Sequence, residues 1–182
     1  MNNRRAFIMG IKGTKLNLNE KIILRKYQPW GIILFTRNIR NINQASKLTS
    51  SIKKIFSDKN YPILIDQEGG RVNRLSNIIS FDNLTSEFFG KKYVSNQKEF
   101  KLYYKLFVDK TCELLKTLGI NINTVPVLDL KIKGSSDIIG DRSFSKDPKI
   151  VSQIGDYCIN YFKQNRIATV MKHIPGHGLA KV

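Results

Sequence analysis

The chain has only two cysteines in 182 residues, Cys112 and Cys158, and they have neither redox nor metal-ligand spacing. Both fall in helical-looking segments and read as buried free thiols. No apolar run approaches the roughly 20 residues that cross a bilayer. The N-terminus, MNNRRAFIMGIKG, sets two arginines before a short apolar stretch, with no long hydrophobic region and no small-residue cleavage site. A soluble cytoplasmic protein without a membrane partner is expected. Neither GxGxxG nor GxxxxGK[ST] occurs, so no phosphate loop is predicted. Internal repeats, low-complexity tracts and linkers are also missing. Acidic residues are few, 14 against 31 Lys and Arg, for a formal net charge of +17. The lysines are scattered and accompanied by abundant Asn and Ile, a mixture that an AT-rich genome produces, so no nucleic-acid partner is expected.

What is present is a globular composition, 41% hydrophobic and 10% aromatic, at the length of one domain. Short apolar runs alternate with longer helical patterns, the sign of βα units and a parallel sheet. Strands are predicted at Ala6 to Ile11, Gly31 to Phe35, Pro62 to Ile65, Ile122 to Val127 and Ile167 to Met171. Helices are predicted from about Asn19, as N-cap, to Tyr27, and along Ile42, Ala45, Leu48, Ile52, Ile55 and Phe56. Two more run from Gln97 to Leu118 and through Ile150, Ile154, Tyr157, Cys158 and Tyr161. The stretch from Arg74 to Asn96 reads as a long loop with one helical turn.

Three of the strands end in polar clusters: Asp66-Gln67-Glu68-Gly69-Gly70-Arg71, Asp129 with the later loop Gly140-Asp141-Arg142-Ser143-Phe144, and Lys172-His173-Ile174-Pro175-Gly176-His177-Gly178. A carboxylate at a strand end accepts two hydrogen bonds from adjacent sugar hydroxyls, and a nearby arginine supplies fixed donors. The paired glycines permit a tight turn. His173 and His177 lie four positions apart, a metal-pair spacing on a helix. Pro175 and Gly176 argue against a helix there, so neither a metal nor any other cofactor is expected. Functional groups at strand C-termini suit a (β/α)₈ barrel and a doubly wound sheet alike.

Taken in order, GIILFTRN, ILIDQEGGRVNRL, INTVPVLDL, IIGDRSFSKDP and MKHIPGHG resemble glycoside hydrolase family 3, in particular its single-domain β-N-acetylglucosaminidases of bacterial cell-wall recycling. The resemblance runs from about Ile11 to the last residue, and DQEGGRV and KHIPGHG are its most specific parts. It implies a (β/α)₈ TIM barrel of which residues 1–182 supply about the first five βα units. It also implies removal of a terminal non-reducing β-N-acetylglucosamine from muropeptide or anhydro-disaccharide substrates, with retention of configuration. By the same resemblance Asp66 holds sugar hydroxyls beside Arg74, while Arg142, Lys172 and His173 line the pocket.

The chain departs from the family in ending at Lys181-Val182, before the Asp-x-His pair that carries the acid/base and before the nucleophilic aspartate. Retaining hydrolysis needs both groups, so no catalytic residue is assigned, and this polypeptide alone is expected to be inactive and poorly stable. Two alternatives stand beside this reading: a fragment of a family 3 β-glucosidase, and a non-catalytic sugar-binding module.

Overall fold

In the computed structural model, which describes residues 4–134 and 136–178, the apolar runs form one parallel sheet. The elements follow as β1 (Arg5–Gly10), α1 (Leu18–Tyr27), β2 (Pro29–Leu34), α2 (Ile42–Ile55), β3 (Ile63–Ile65), α3 (Ser86–Ser95), α4 (Gln97–Thr117), β4 (Ile122–Asn123), α5 (Pro148–Gln164) and β5 (Ala168–Thr169). Spatial order equals chain order, β1-β2-β3-β4-β5, and every pairing is parallel. A doubly wound sheet reverses its strand order at a switch point. None occurs among the described strands, so the sheet is wound in one direction, as in a barrel.

Burial follows from that winding. Ile63, Leu64 and Ile65 of β3 are all buried, as expected of a central parallel strand covered on both faces. Ala45, Leu48 and Ile52 of α2, Phe100, Tyr104, Val108 and Leu115 of α4, and Val151, Ile154 and Phe162 of α5 close over the sheet in one core. Cys112 and Cys158 are free thiols inside it. No described helix is long and apolar enough to cross a membrane.

Three local expectations are corrected. Asn17, not Asn19, caps α1: its side chain accepts from the Glu20 amide (2.8 Å), and Glu20 Oε2 accepts from the Asn17 amide (2.9 Å). Of the two asparagines, only Asn17 has a glutamate three positions on, which the reciprocal box requires. The stretch expected as loop contains the ten-residue helix α3, capped by Thr85. Its Gly90 packs against the 143–145 segment so closely that a Cβ would stand 1.7 Å from the Phe144 carbonyl oxygen. A residue that reads as a helix breaker is therefore a contact point. The fourth strand is only Ile122–Asn123 because Pro126, which lacks an amide proton, interrupts the ladder. Pairing resumes as a single bridge between Val127 and Lys172, with the Leu128 amide donating to the Lys172 carbonyl (2.6 Å).

Candidate functional site

The site begins where β3 stops. Asp66 follows Ile65 directly, and the chain then reverses through Gly69 (φ +92°) and Gly70 (φ +55°), backbone angles that side-chain-bearing residues rarely adopt. Glu68 and Val72 close this turn through the Glu68 amide to the Val72 carbonyl (3.1 Å). Arg71 projects from it and donates from one Nη2 to the carbonyls of Asp137, Ile138 and Ile139 (2.6, 2.9 and 2.9 Å), while its Nε pairs with Asp141 at 2.9 Å. That grip docks the 136–142 loop onto the β3 turn and delivers Arg142 to Glu68.

The cations and carboxylates form one network. Arg142 makes a two-pronged bond to Glu68, Nε to Oε2 at 2.8 Å and Nη2 to Oε1 at 2.9 Å. Lys172 Nζ reaches Glu68 Oε1 at 2.6 Å, Asp66 Oδ1 at 3.0 Å and Thr124 Oγ1 at 3.1 Å. The Thr124 hydroxyl in turn donates to Asp66 Oδ1. Arg74 stands 3.8 Å from Asp66 Oδ2 and lies over the Phe35 ring, and its Nε is buried without a partner. The signs alternate along the chain of contacts Arg142, Glu68, Lys172, Asp66, Arg74.

Burial alone would raise the Asp66 carboxyl. Thr124, Lys172 and Arg74 more than offset that and hold it below the ordinary 3.8, so it remains an acceptor-only carboxylate through the neutral range. Burial likewise works against the Arg142 guanidinium, and Glu68 outweighs it, so the charge is held more firmly than usual.

His173 occupies a flank. Its Nδ1 lies 2.6 Å from Asp129 Oδ2, its amide donates to the same oxygen at 3.1 Å, and the His177 amide donates to Asp129 Oδ1. Burial pushes the Asp129 carboxyl up, but these bonds prevail and lower it. Facing an ionised carboxylate, Nδ1 carries a proton and the ring presents Nε2 outward. The rings of His173 and His177 sit edge to face at 5.1 Å, and no group of three metal-ligating side chains occurs among the described residues.

Of the five residues singled out from the sequence, Asp66, Arg74, Arg142 and Lys172 are therefore joined in one network at the C-terminal rim of β3 to β5. His173 is held beside it by a separate carboxylate. Sequence reasoning named Glu68 and Asp129 in the polar clusters but gave no role to them or to Thr124, and all three are buried and fix the others. The interior space beneath the turn, lined by Gln67, Glu68, Phe89 and Tyr104 among others, measures about 10 Å³, room for no more than a water. That space is too small for a sugar.

A parallel sheet wound in one direction, with charged side chains gathered at strand C-termini, defines the class of (β/α)-barrel proteins. Within that class the chain belongs to glycoside hydrolase family 3: residues 6–182 match the model described as the glycosyl hydrolase family 3 N terminal domain. The beta-hexosaminidase of Hydrogenovibrio crunogenus is 35% identical over 174 residues, covering 95% of this chain and 48% of that protein. Native NagZ from Neisseria gonorrhoeae superposes with a TM-score of 0.85 at 28% identity, covering 96% of this chain and 50% of that one. NagZ from the same organism in complex with N-trifluoroacetyl-D-glucosamine gives a TM-score of 0.84 at 28% identity, over 96% and 51%. The chain thus spans about half the length of the curated relatives it matches.

Proposed function

We propose that this chain is the sugar-binding half of a β-N-acetylglucosaminidase acting with retention on cell-wall fragments, N-acetylglucosamine-containing muropeptides or anhydro-disaccharides. The observation that carries the reading is the single charge network uniting Asp66, Arg74, Arg142 and Lys172 at one rim. Asp66 Oδ1 is taken up by Lys172 and Thr124, which leaves Oδ2 to accept from sugar hydroxyls. The Nε2 of His173, on the far side of the ring from Asp129, adds a polar atom that a hydroxylated ligand would satisfy. The beta-hexosaminidase relative and the structure that holds an N-acyl-glucosamine support an amino-sugar over plain glucose. A cytoplasmic setting belongs to the same reading, drawn from the recycling branch of the family.

The residues above bind and orient; retaining hydrolysis requires a nucleophile and a separate acid/base, and neither role is assigned among the described residues. Turnover by this polypeptide alone is therefore not expected. Titrating the chain with N-acetylglucosamine tests the binding claim, with saturable millimolar affinity expected and loss on Asp66→Ala. Equal affinity in the variant would remove the assignment. A chain extended to the length of its relatives is expected to cleave a chromogenic β-N-acetylglucosaminide, and cleavage of the corresponding β-glucoside in its place would favour the β-glucosidase branch.

A narrower second reading takes the network of Asp66, Arg74, Arg142 and Lys172 as the whole site. A sugar-binding module without catalysis would need no more than that. Binding by the present chain together with persistent inactivity of the extended one would select it.

A further inference from the structure

Glu68 lies deeper than any other member of the network, with a side chain only 3% exposed. Its Oε1 receives both Arg142 Nη2 and Lys172 Nζ, so one oxygen holds two cations side by side. Such neighbours repel, and a partly dry site screens them poorly. The two-pronged bond also fixes the guanidinium plane. With Nη1 donating to the Ile138 carbonyl (3.1 Å), three of the five Arg142 donors are committed and the remaining two point in set directions. Charge adds a second consequence. Arg74, Arg142 and Lys172 alone would make an anion site, and Asp66 offsets only part of that.

We propose that Glu68 is a positioning and specificity-determining residue: it orients Arg142 and Lys172 toward the ligand and cancels enough charge for the pocket to prefer a neutral sugar over an anionic one. The proposal rests on the sugar-binding reading. A buried ion pair that merely anchors its loop would affect stability alone, so the test reads selectivity.

The wild-type chain, Glu68→Gln and Asp66→Ala are each titrated with N-acetylglucosamine and with glucuronic acid, following ¹H–¹⁵N shifts. Wild type is expected to favour N-acetylglucosamine. Glu68→Gln should weaken that sugar about tenfold, the factor expected for one charge-assisted hydrogen bond. Its glucuronate affinity should hold or rise, and the gain should fade with added salt. Equal losses for both sugars, or an unchanged ratio, would overturn the proposal. Asp66→Ala separates the two claims. If that variant binds N-acetylglucosamine as wild type does, the sugar reading itself fails, whatever Glu68 shows. Should Glu68→Gln not fold, the wild-type Arg142 Nε–H signal decides. Slow exchange and a shift on adding N-acetylglucosamine are expected, whereas a fast-exchanging signal that sugar leaves unmoved refutes the idea.

Discussion

Replacing Asp129 by asparagine puts the turn that carries His173 to a stringent test. The Asp129 side chain is 1% exposed. It accepts the His173 amide and Nδ1 on Oδ2, and the His177 amide on Oδ1. Asparagine keeps the shape but turns one oxygen into an NH₂ group. The two backbone donors sit on different oxygens, so either orientation of the amide sets a donor against a donor. One buried amide then goes unsatisfied, and the surviving bonds lose their charge assistance, a combined cost of about 3 kcal/mol. Out of a total stability of about 5–15 kcal/mol for a domain, that is enough to open the turn locally. The assay is hydrogen exchange at the His173 and His177 amides, expected to accelerate about a hundredfold at neutral pH. The sign with pH follows from the lowered Asp129 carboxyl. Its stabilisation is fully present above the unfolded value of 3.8 and is lost as pH falls through the lower folded value. The gap between wild type and Asp129→Asn should therefore close in acid. Less than a tenfold change at neutral pH, or a gap that widens in acid, would refute the argument.

Three further outcomes follow from the same geometry. Gly90→Ala would place a methyl group against the Phe144 carbonyl, costing about 2–3 kcal/mol; the urea midpoint should fall, and an unchanged midpoint would contradict the close packing of α3. Burial pushes both thiols up to about 12, so iodoacetamide at pH 8 should label neither Cys112 nor Cys158 in the folded chain and both in urea, as read by mass spectrometry. Because the Asp66 carboxyl is held below 3.8, N-acetylglucosamine binding should persist from pH 7 to pH 4 and fall away only below; a loss centred near pH 5 or 6 would show that another group controls it.

The strand ends that build the rim were legible because a wholly apolar run that stops on a charged residue, as in Ile65-Asp66, has one physical reading: a buried strand surfacing at its end. Glu68 and Asp129 were not legible as positioning groups. Their importance lies in partners 74 residues away at Arg142 and 44 away at His173, and no local pattern encodes such a pairing. Helix α3 was missed for a related reason. Its apolar residues Phe88, Phe89 and Tyr93 are surrounded by Ser, Asn and Gly, and Gly90 earns its place through tertiary contact alone. The alternation of strand with helix did not give the winding direction, since barrels and doubly wound sheets share it; the family resemblance supplied the barrel, and the structure agrees with it. The neighbour order separates them on geometry alone.

That order places the site at the sheet's less supported side. The middle strands have a partner on each flank, while β1 and β5 are the outermost. Exposure grades accordingly: Ile63 and Ile65 of β3 are fully buried, whereas Phe7 and Ile8 of β1 are 38% and 46% exposed, and Val170 and Met171, just past β5, 42% and 50%. An unpaired edge leaves alternate amides open to water. Protection from exchange should thus peak in β3 and fall toward both edges. The lysine that closes the network follows β5, and among the described residues its backbone is tied to the β4 segment, by the Lys172 amide to the Pro126 carbonyl (3.1 Å) and the Leu128 amide to its own carbonyl. Its side-chain contacts with Asp66 and Glu68 must therefore help hold the strand as well as shape the pocket. If so, saturating N-acetylglucosamine should slow exchange at Ala168, Val170 and Lys172 more than at Ile63 to Ile65. Uniform slowing across the sheet would mean that the ligand stabilises the whole chain without acting through this edge.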